Sequence, residues 1–496
     1  MVALSIDAGT SVAKCVAFDD DGTELAVGRV ETGVTRLSGG RVEQDMEQVW
    51  SAVATAVRKA HAEAGGHVRL LSVTGQGDGA WLVDGGGRPT GPAILWNDGR
   101  ASELVSEWER RGIGMHMFRT TGCAQFPGLA HALLAWLKVH DPERIGASRY
   151  VLSCDSWLFS RMTREIVSDL SDASNPFLDA RTRAYAIGLL DEIDLSWVEG
   201  LLPPLRDDEH RVAALCRPAA EELGLPNDLP VVLAPYDVVA SGLGAGMSME
   251  GLASAILGTT LCISAIVAEA DLDGPPVGLN LSGGVGDRWT RSLPTLSGVD
   301  VLRWCSELLG LKGAEGMTAV ATTAEPGAAG LVFLPHLAAA GERAPFIDAD
   351  ATGLISGLGF SHDRKDIARA VLEGLTVALA DCVALLAEPP TRLVAAGGGA
   401  RSDLWCQMLA DMTGIAVART NCEELGALGA LMTALVALGE HCDVAEASAR
   451  YVRFDRVFNV DPRAIETYAE LRQRHAAVRA AAREGRWWRL RLAGPQ

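Results

Sequence analysis

The stretch "LSIDAGTSVAKCVAFDDDG", Leu4–Gly22, decides how the rest of the chain is read. Residues 2–7 and 13–18 are apolar and rich in β-branched side chains, with a Gly-Thr turn between them, which is the pattern of two strands joined tightly. "DDDG" at 19–22 marks a second turn and "ELAVGRV" a third strand, so the chain opens as an antiparallel meander. The first turn can be read in two ways. A hairpin carrying an incidental acid is one. A site for a metal-bound polyphosphate is the other: a terminal phosphate needs backbone N–H groups aimed at it, glycine permits close approach, and a threonine hydroxyl adds a donor. A carboxylate beside the turn can hold Mg²⁺, usually through water. Asp7, Gly9 and Thr10 supply those parts.

Further along, "EQDMEQVWSAVATAVRKAHAEAG" has apolar residues at helical spacing and ends near Gly65 and Gly66, and "VRLLSVTG" reads as a buried strand. Helix and strand then alternate to "LPVVLAPYDVVASGLGAG", where Val231 to Ala234 are a strand and Asp237 begins a helix. The second half starts as the first does, because "GLASAILGTTLCISAIV" is strand, turn, strand. Gly258, Thr259 and Thr260 offer a second phosphate cradle, and the chain reads as two related α/β halves facing each other. "AAGGGARSDLWCQMLAD" at 395–411 runs from a strand through three glycines into a helix, leaving a flat backbone surface for an adenine ring or ribose. Asp237, after a buried strand, is either a helix cap or a general base for an attacking hydroxyl. "TGQGDGAWLVD" and "AILWNDGRA" gather Gln76, Asp78, Trp81, Trp96, Asn97, Asp98 and Arg100. Amides and carboxylates bond to vicinal hydroxyls and indoles cover C–H faces, so these suit a polyhydroxylated ligand; two polar surface loops are the alternative.

Composition bounds the function. The 496 residues suffice for two or more domains, with 48% hydrophobic and 22% charged residues, as expected of a globular protein. A formal net charge of -19 argues against nucleic acid and anionic membrane surfaces as partners. Ten cysteines include no Cys-x-x-Cys pair and no zinc spacing, which predicts reduced core thiols and a cytoplasmic protein. The N-terminus lacks a basic, signal-like region, and Glu373 and Asp381 interrupt the longest apolar run, "LEGLTVALADCVALLAEPP", which reads as a buried amphipathic helix. His336 and His362 read as structural loop residues, and the basic end "REGRWWRLRLAGPQ" as a helix end on the surface.

"GLVFLPHLAAAGERAPFIDADATGLISGLGFSHDRKDIARAVLEGL" (330–375) and "GGGARSDLWCQMLADMTGIAV" followed by "EELGALGAL" carry a resemblance that spans essentially the whole chain. The chain resembles the FGGY family of carbohydrate kinases, within the actin/hexokinase/heat-shock-chaperone ATPase superfamily. The resemblance implies two ribonuclease-H-like (actin-like ATPase) α/β domains with an active-site cleft between them. It places a sugar-binding domain at 1–245, an ATP-binding domain at 246–440 and a helical extension at 441–496 packed on the second domain. It implies Asp237 as catalytic base, Asp7 as the Mg²⁺ contact with Gly9, Thr10 and Lys14 beside it, and Gly258, Thr259 and Thr260 as the second phosphate turn. Gly398, Gly399 and Ala400 would carry the adenosine, and Gln76, Asp78, Trp96 and Asp98 the sugar. The implied reaction is transfer from ATP, with Mg²⁺, to a primary hydroxyl of a ketopentose or an erythritol-like polyol; a homodimer is compatible with the family. D-xylulose kinases usually read Gln-Met-His-Gly where this chain has Gln76-Gly77-Asp78-Gly79, which makes it look more like the branch acting on L-xylulose, erythritol or related compounds. A non-transferring actin-like ATPase or chaperone, and a catalytically silent sugar-binding regulator, are the alternatives. The first has no need of the polar-aromatic loops, and the second could have lost Asp7 and Asp237.

Overall fold

Strand β1 (Val2–Ala8) is buried along nearly its whole length, as a central strand covered on both faces must be. It pairs antiparallel with β2 (Val12–Phe18), which pairs antiparallel with β3 (Glu24–Glu31). Helix α1 (Met46–Ala64) follows, capped by the Asp45 carboxylate, which accepts from the Gln48 N–H. Its buried Val49, Val53, Ala56, Val57 and Ala60 recur at helical spacing and form the stripe that covers the sheet. Strand β4 (Val68–Gly75) runs parallel to β1, and after β5 (Val212–Ala214) the strand β6 (Pro230–Leu233) lies parallel to β4. The six strands stand in the order β5-β6-β4-β1-β2-β3, and helix α2 (Asp237–Gly244) leaves the end of β6.

The same pattern recurs. Strand β7 (Leu252–Leu257) pairs antiparallel with β8 (Leu261–Val267) and is followed by β9 (Trp289–Pro294). Helix α3 (Arg364–Val383) leads to β10 (Arg392–Ala396), parallel to β7, then to α4 (Asp403–Thr413) and β11 (Val417–Thr420), parallel to β10. After α5 (Leu425–Ala437), β12 (Phe454–Phe458) pairs antiparallel with β11, and α6 (Ile465–Glu484) follows. The order β9-β8-β7-β10-β11 matches β3-β2-β1-β4-β6; the antiparallel edge strand beyond it comes before its neighbour in the chain in the first sheet (β5) and after it in the second (β12), and the second sheet carries a seventh strand, Leu279–Ser282, outside β9. The internal similarity between the two Gly-Thr hairpins is thus a duplication of topology.

The computed structural model describes residues 1–206, 210–338, 340–485 and Trp488. By contacts it forms two units: Met1–Met249 with Ile266–Thr290 and Glu424–Val452, and Glu250–Ala265 with 291–423 and 453–496. This grouping differs from the sequence partition in that Ile266–Thr290 joins the first unit, and so does Glu424–Val452. For the latter the reason lies in α5, whose residues from Leu425 to Leu435 are all buried. Such a helix is apolar on every side and must be enclosed. It lies backbone to backbone on α2: a Cβ on Gly244 would stand 2.0 Å from the Leu425 carbonyl, and one on Gly429 would stand 1.9 Å from that of Ala240. The basic end of the chain lies mostly outside the described residues. All ten cysteines are free thiols, and among the described residues no helix is long and apolar enough to cross a membrane.

Candidate active site

The β1–β2 register sets Asp7 directly opposite Lys14. The Lys14 Nζ lies 3.7 Å from the Asp7 carboxylate and 3.0 Å from that of Glu424, which also pairs with Arg29. Burial pushes the Asp7 carboxyl above its ordinary range; Lys14 opposes the rise and Glu424 adds to it. Burial works against the Lys14 charge, yet the Asp7 and Glu424 carboxylates hold its ammonium above its usual value. Glu424 precedes α5, so the helix that encloses the first unit also delivers an acid to the turn.

Asp237 is the first residue of α2, not its cap, since Tyr236 occupies the capping position without a side-chain cap bond. The backbone before it is pinned three times. Ala234 N–H donates to the Val73 carbonyl at 2.8 Å, Thr74 Oγ1 donates to the Pro235 carbonyl at 2.6 Å, and Tyr236 N–H donates to Ser171 Oγ at 2.9 Å. Burial raises the Asp237 carboxyl well above the carboxylate range, and the charges of Asp7, Asp155 and Asp78 raise it further. One unit thus gathers four carboxyls whose fields overlap.

The polar-aromatic loops converge on the same turn. Thr10 Oγ1 donates to Gln76 Oε1 at 2.8 Å and accepts from Trp96 Nε1 at 3.0 Å, and Gln76 Nε2 donates to Gln44 Oε1 at 2.9 Å. The Thr10 hydroxyl therefore ties the loops together. Asp98 is 2% exposed and accepts from the Val42 N–H at 2.6 Å and from the Arg100 guanidinium at 2.9 Å. Its carboxylate is engaged in holding the loop. Asp78 sits at φ +56, a left-handed conformation that few residues other than glycine adopt. Its Oδ1 accepts from Asn175 Nδ2 at 2.8 Å and its Oδ2 from the Tyr236 hydroxyl at 3.0 Å.

Behind these lies a buried acid group. Asp155 accepts from Ser153 Oγ at 2.6 Å and from the Ser156 N–H at 2.8 Å. Burial lifts its carboxyl to about 7, with the Ser153 and Asp172 hydrogen bonds pulling the other way. Asp172 is raised by burial and then by Asp155 and Asp169. Two carboxyls so placed cannot both ionise, so the pair shares a proton near neutrality. Asp169 pairs with the buried Arg211 at 3.1 Å and accepts from Ser171.

In the second unit the turn Gly258–Thr260 joins β7 to β8, with Thr259 exposed at its tip. The loop 294–299 backs it: Val299 N–H donates to the Gly258 carbonyl at 2.8 Å, and Leu261 N–H donates to Thr295 Oγ1 at 3.1 Å. Glu342 holds that loop, accepting from the N–H of Leu296 at 2.8 Å while its other oxygen meets His336 Nδ1 at 3.0 Å. Arg343 Nε adds a bond to the Pro294 carbonyl at 3.1 Å. His336 and the "GERAP" segment therefore serve to support the turn. At the third element, Gly398 faces open space and Ser402 caps α4 through the Trp405 N–H. Ala400 is buried, and its carbonyl accepts from Arg419 at 3.3 Å.

Of the residues singled out from sequence, Asp7, Gly9, Thr10, Lys14, Gln76, Asp78, Trp96, Asp98 and Asp237 all fall in the first unit, and Gly258, Thr259, Thr260, Gly398, Gly399 and Ala400 in the second. Sequence reasoning missed Glu424, Gln44, Asn175 and Tyr236. The first three are remote in sequence from what they touch. Tyr236 carried a signal, standing next to the proposed base.

Two family models cover the chain: the N-terminal domain of the FGGY family of carbohydrate kinases matches residues 2–244, and its C-terminal domain matches 253–438. The chain is 34% identical to the xylulose kinase of Escherichia coli (strain K12), over 88% of this chain and 90% of that one. It is 31% identical to the erythritol kinase of Brucella abortus (strain 2308), over 91% and 90%. A crystal structure of xylulose kinase from Rhodospirillum rubrum superposes with a TM-score of 0.88 at 27% identity, covering 98% of this chain and 99% of that one.

Proposed function

Because the chain belongs to the FGGY family of carbohydrate kinases, we propose that this phosphotransferase moves the terminal phosphoryl group of ATP to a primary hydroxyl of a small ketose or polyol, with Asp237 as general base. The observation that carries this reading is the Asp237 carboxyl itself: pinned at the start of α2, half-buried, and raised by burial and by Asp7, Asp155 and Asp78. A base works best when its pKa approaches the working pH, and a raised carboxylate is a better base than an ordinary one. Phosphoryl transfer asks for little covalent help, so positioning, charge and one proton acceptor suffice.

The acceptor binds against the loops that Gln76, Asp78 and Trp96 present, with Asp98 holding their shape. Asp237 accepts the hydroxyl proton as the oxygen attacks the γ-phosphorus. Backbone N–H groups at Gly9–Thr10 receive the charge that spreads over the transferring group, and the Gly258–Thr260 turn offers its own N–H groups to the phosphates of the nucleotide. Gly398, which faces open space, leaves a bare backbone for the adenosine, while Gly399 lets the loop pack on Trp405 and Leu257 beneath it. Asp7 fits a divalent cation: its carboxyl is raised by burial and by Glu424, so it is short of positive charge, and Mg²⁺ is ordinarily held by one or two carboxylates with phosphate oxygens and water. Mg²⁺ held there supplies charge that stabilises the transferring phosphoryl group.

Asp237→Ala tests the assignment. The expected result is an ADP-release rate ~10²–10⁴-fold lower with ATP and acceptor affinity retained. The wild-type rate should climb with pH along an acid limb above the ordinary carboxylate range. Near-normal turnover in the variant refutes the base. A panel of pentuloses, tetritols, pentitols and glycerol, read by ADP release, identifies the acceptor class.

A further inference from the structure

Gly77 lies between Gln76 and Asp78 in the acceptor loop, and its φ is outside the left-handed region, so an L-residue could adopt its backbone. The side-chain space is nonetheless taken. A Cβ on Gly77 would stand 2.4 Å from Tyr236 Cε2 and 2.6 Å from both Cδ2 and Cζ. The ring of Tyr236 thus rests on the Gly77 backbone, and the tyrosine is only 7% exposed. The next residue, Asp78, is held at φ +56 with its Oδ2 on the Tyr236 hydroxyl at 3.0 Å and its Oδ1 on Asn175 at 2.8 Å. The residue after Tyr236 is Asp237.

Four contacts converge on one side chain and its backbone. The ring meets Gly77, the hydroxyl meets Asp78, the N–H meets Ser171, and the carbonyl continues into α2. An aspartate held in a sparsely populated backbone region persists only when its surroundings over-determine it, and such residues gather at functional sites. Here the tyrosine and Asn175 over-determine it from two sides. We propose that Tyr236 is a positioning residue which holds Asp78 and Asp237 in one frame, and that Gly77, Asp78 and Tyr236 act as a single specificity unit in which glycine at 77 is the condition for the tyrosine. This rests on the reading of Asp78 as an acceptor contact and Asp237 as the base.

The unit explains why a glycine and an acid occur side by side in this loop. A larger residue at 77 and a tyrosine at 236 exclude each other. Asp78 meets the acceptor with a fixed carboxylate, whose other hydrogen-bond capacity is committed to Tyr236 and Asn175. An ionised carboxylate accepts only, so the site favours an acceptor that offers a free hydroxyl as donor at that point.

The test is a double-variant cycle on the full chain with Gly77→Ala, Tyr236→Ala and both together, plus Tyr236→Phe alone. Each is measured by thermal unfolding and by ADP release with erythritol, L-xylulose and D-xylulose. Gly77→Ala alone should lower the midpoint by several degrees, and the same change in the Tyr236→Ala background should cost almost nothing. Tyr236→Phe keeps the ring and loses the bond to Asp78. It should raise the acceptor KM ~10-fold while kcat falls less than ~3-fold, the split expected of a lost positioning contact on the binding side. Equal Gly77→Ala costs in the two backgrounds overturn the unit, and so does a Tyr236→Phe enzyme with wild-type acceptor KM. If the wild type releases no ADP with any of the three, the reading of Asp78 as a contact for these acceptors fails, while the unfolding cycle still decides for or against the ring–glycine coupling.

Discussion

A Cβ on Gly426, in the first turn of α5, would stand 2.7 Å from Asp7 Oδ2 and 2.9 Å from its Cγ. Ordinary contact begins at 3.4 Å, so Gly426→Ala leaves the methyl about 0.7 Å too close to the carboxylate proposed to hold the metal. Asp7 cannot yield by sliding freely, because Lys14 tethers it from the other side at 3.7 Å and Glu424 occupies that lysine at 3.0 Å. For folding the substitution carries opposing effects. Alanine replaces glycine inside a helix, a gain of about 1 kcal/mol, while a contact of this kind in a packed region costs about 1–3 kcal/mol. The net change is small, and the unfolding midpoint should move by only a few degrees. For chemistry the effects do not offset each other: a misplacement near 1 Å costs on the order of 10²-fold in rate. The expected outcome is a kcat lowered ~10–100-fold and a raised Mg²⁺ requirement in an ADP-release assay, with near-native stability. A Gly426→Ala enzyme with wild-type kcat and wild-type Mg²⁺ titration would show that Asp7 does not act where the geometry of β1 and α5 puts it.

Three further outcomes are expected. A Cβ on Gly298 would stand 2.5 Å from the Thr259 carbonyl and 2.6 Å from that of Gly258, so Gly298→Ala should deform the second turn and raise the KM for ATP ~10-fold or more, with acceptor KM unchanged in initial-rate measurements. Asp155, raised to about 7, keeps a proton in the folded chain that the unfolded chain loses near pH 4, so its presence should erode stability as pH rises from about 4 to about 7. Asp155→Asn removes that erosion, and calorimetry should find its midpoint gaining on the wild type between pH 5 and pH 8; a constant difference would contradict the raised carboxyl. Glu342→Gln should loosen the loop behind the second turn, since the amide keeps one oxygen where the carboxylate meets Leu296 with one and His336 with the other, and the ATP KM should rise while acceptor KM holds.

The meander, both Gly-Thr hairpins and the start of α2 were legible because each is a local pattern: alternation of apolar residues, a turn residue, a polar residue after a buried run. The duplication was legible only as a likeness of two turns. Its full extent depends on strand order, which no local pattern encodes. The place of α5 was hidden for the same reason. "LGALGALMTALVA" reads as a buried helix, but nothing in it says that Gly244 and Ala240 lie against it. At the site, the structure adds packing partners that the sequence does not show. Asp98 read as a sugar contact, yet its carboxylate is bonded to Val42 and Arg100; Thr10 read as a phosphate donor, yet its hydroxyl links Gln76 and Trp96. Side chains suited to a ligand are equally suited to holding the loop that meets the ligand, and only geometry separates the two.

The concentration of acid in the first unit follows from what it is proposed to do. Asp237 is raised by burial and by the charges of Asp7, Asp155 and Asp78, burial raises Asp7 and Asp155 themselves, and the lysine opposite Asp7 is shared with Glu424. Such a surface repels a polyphosphate that arrives alone, on a chain that already carries a formal charge of -19. It would accept one that arrives with a divalent cation, for which Asp7 is the proposed ligand, since the cation would offset part of that charge. The same field that would discourage the bare nucleotide lifts the carboxyl of Asp237, the proposed base. Replacing the acids by neutral groups would ease the repulsion and lose the base. On this reasoning the carboxylates near the turn select the charge state of the donor and tune the acceptor of the proton together, through one electrostatic field.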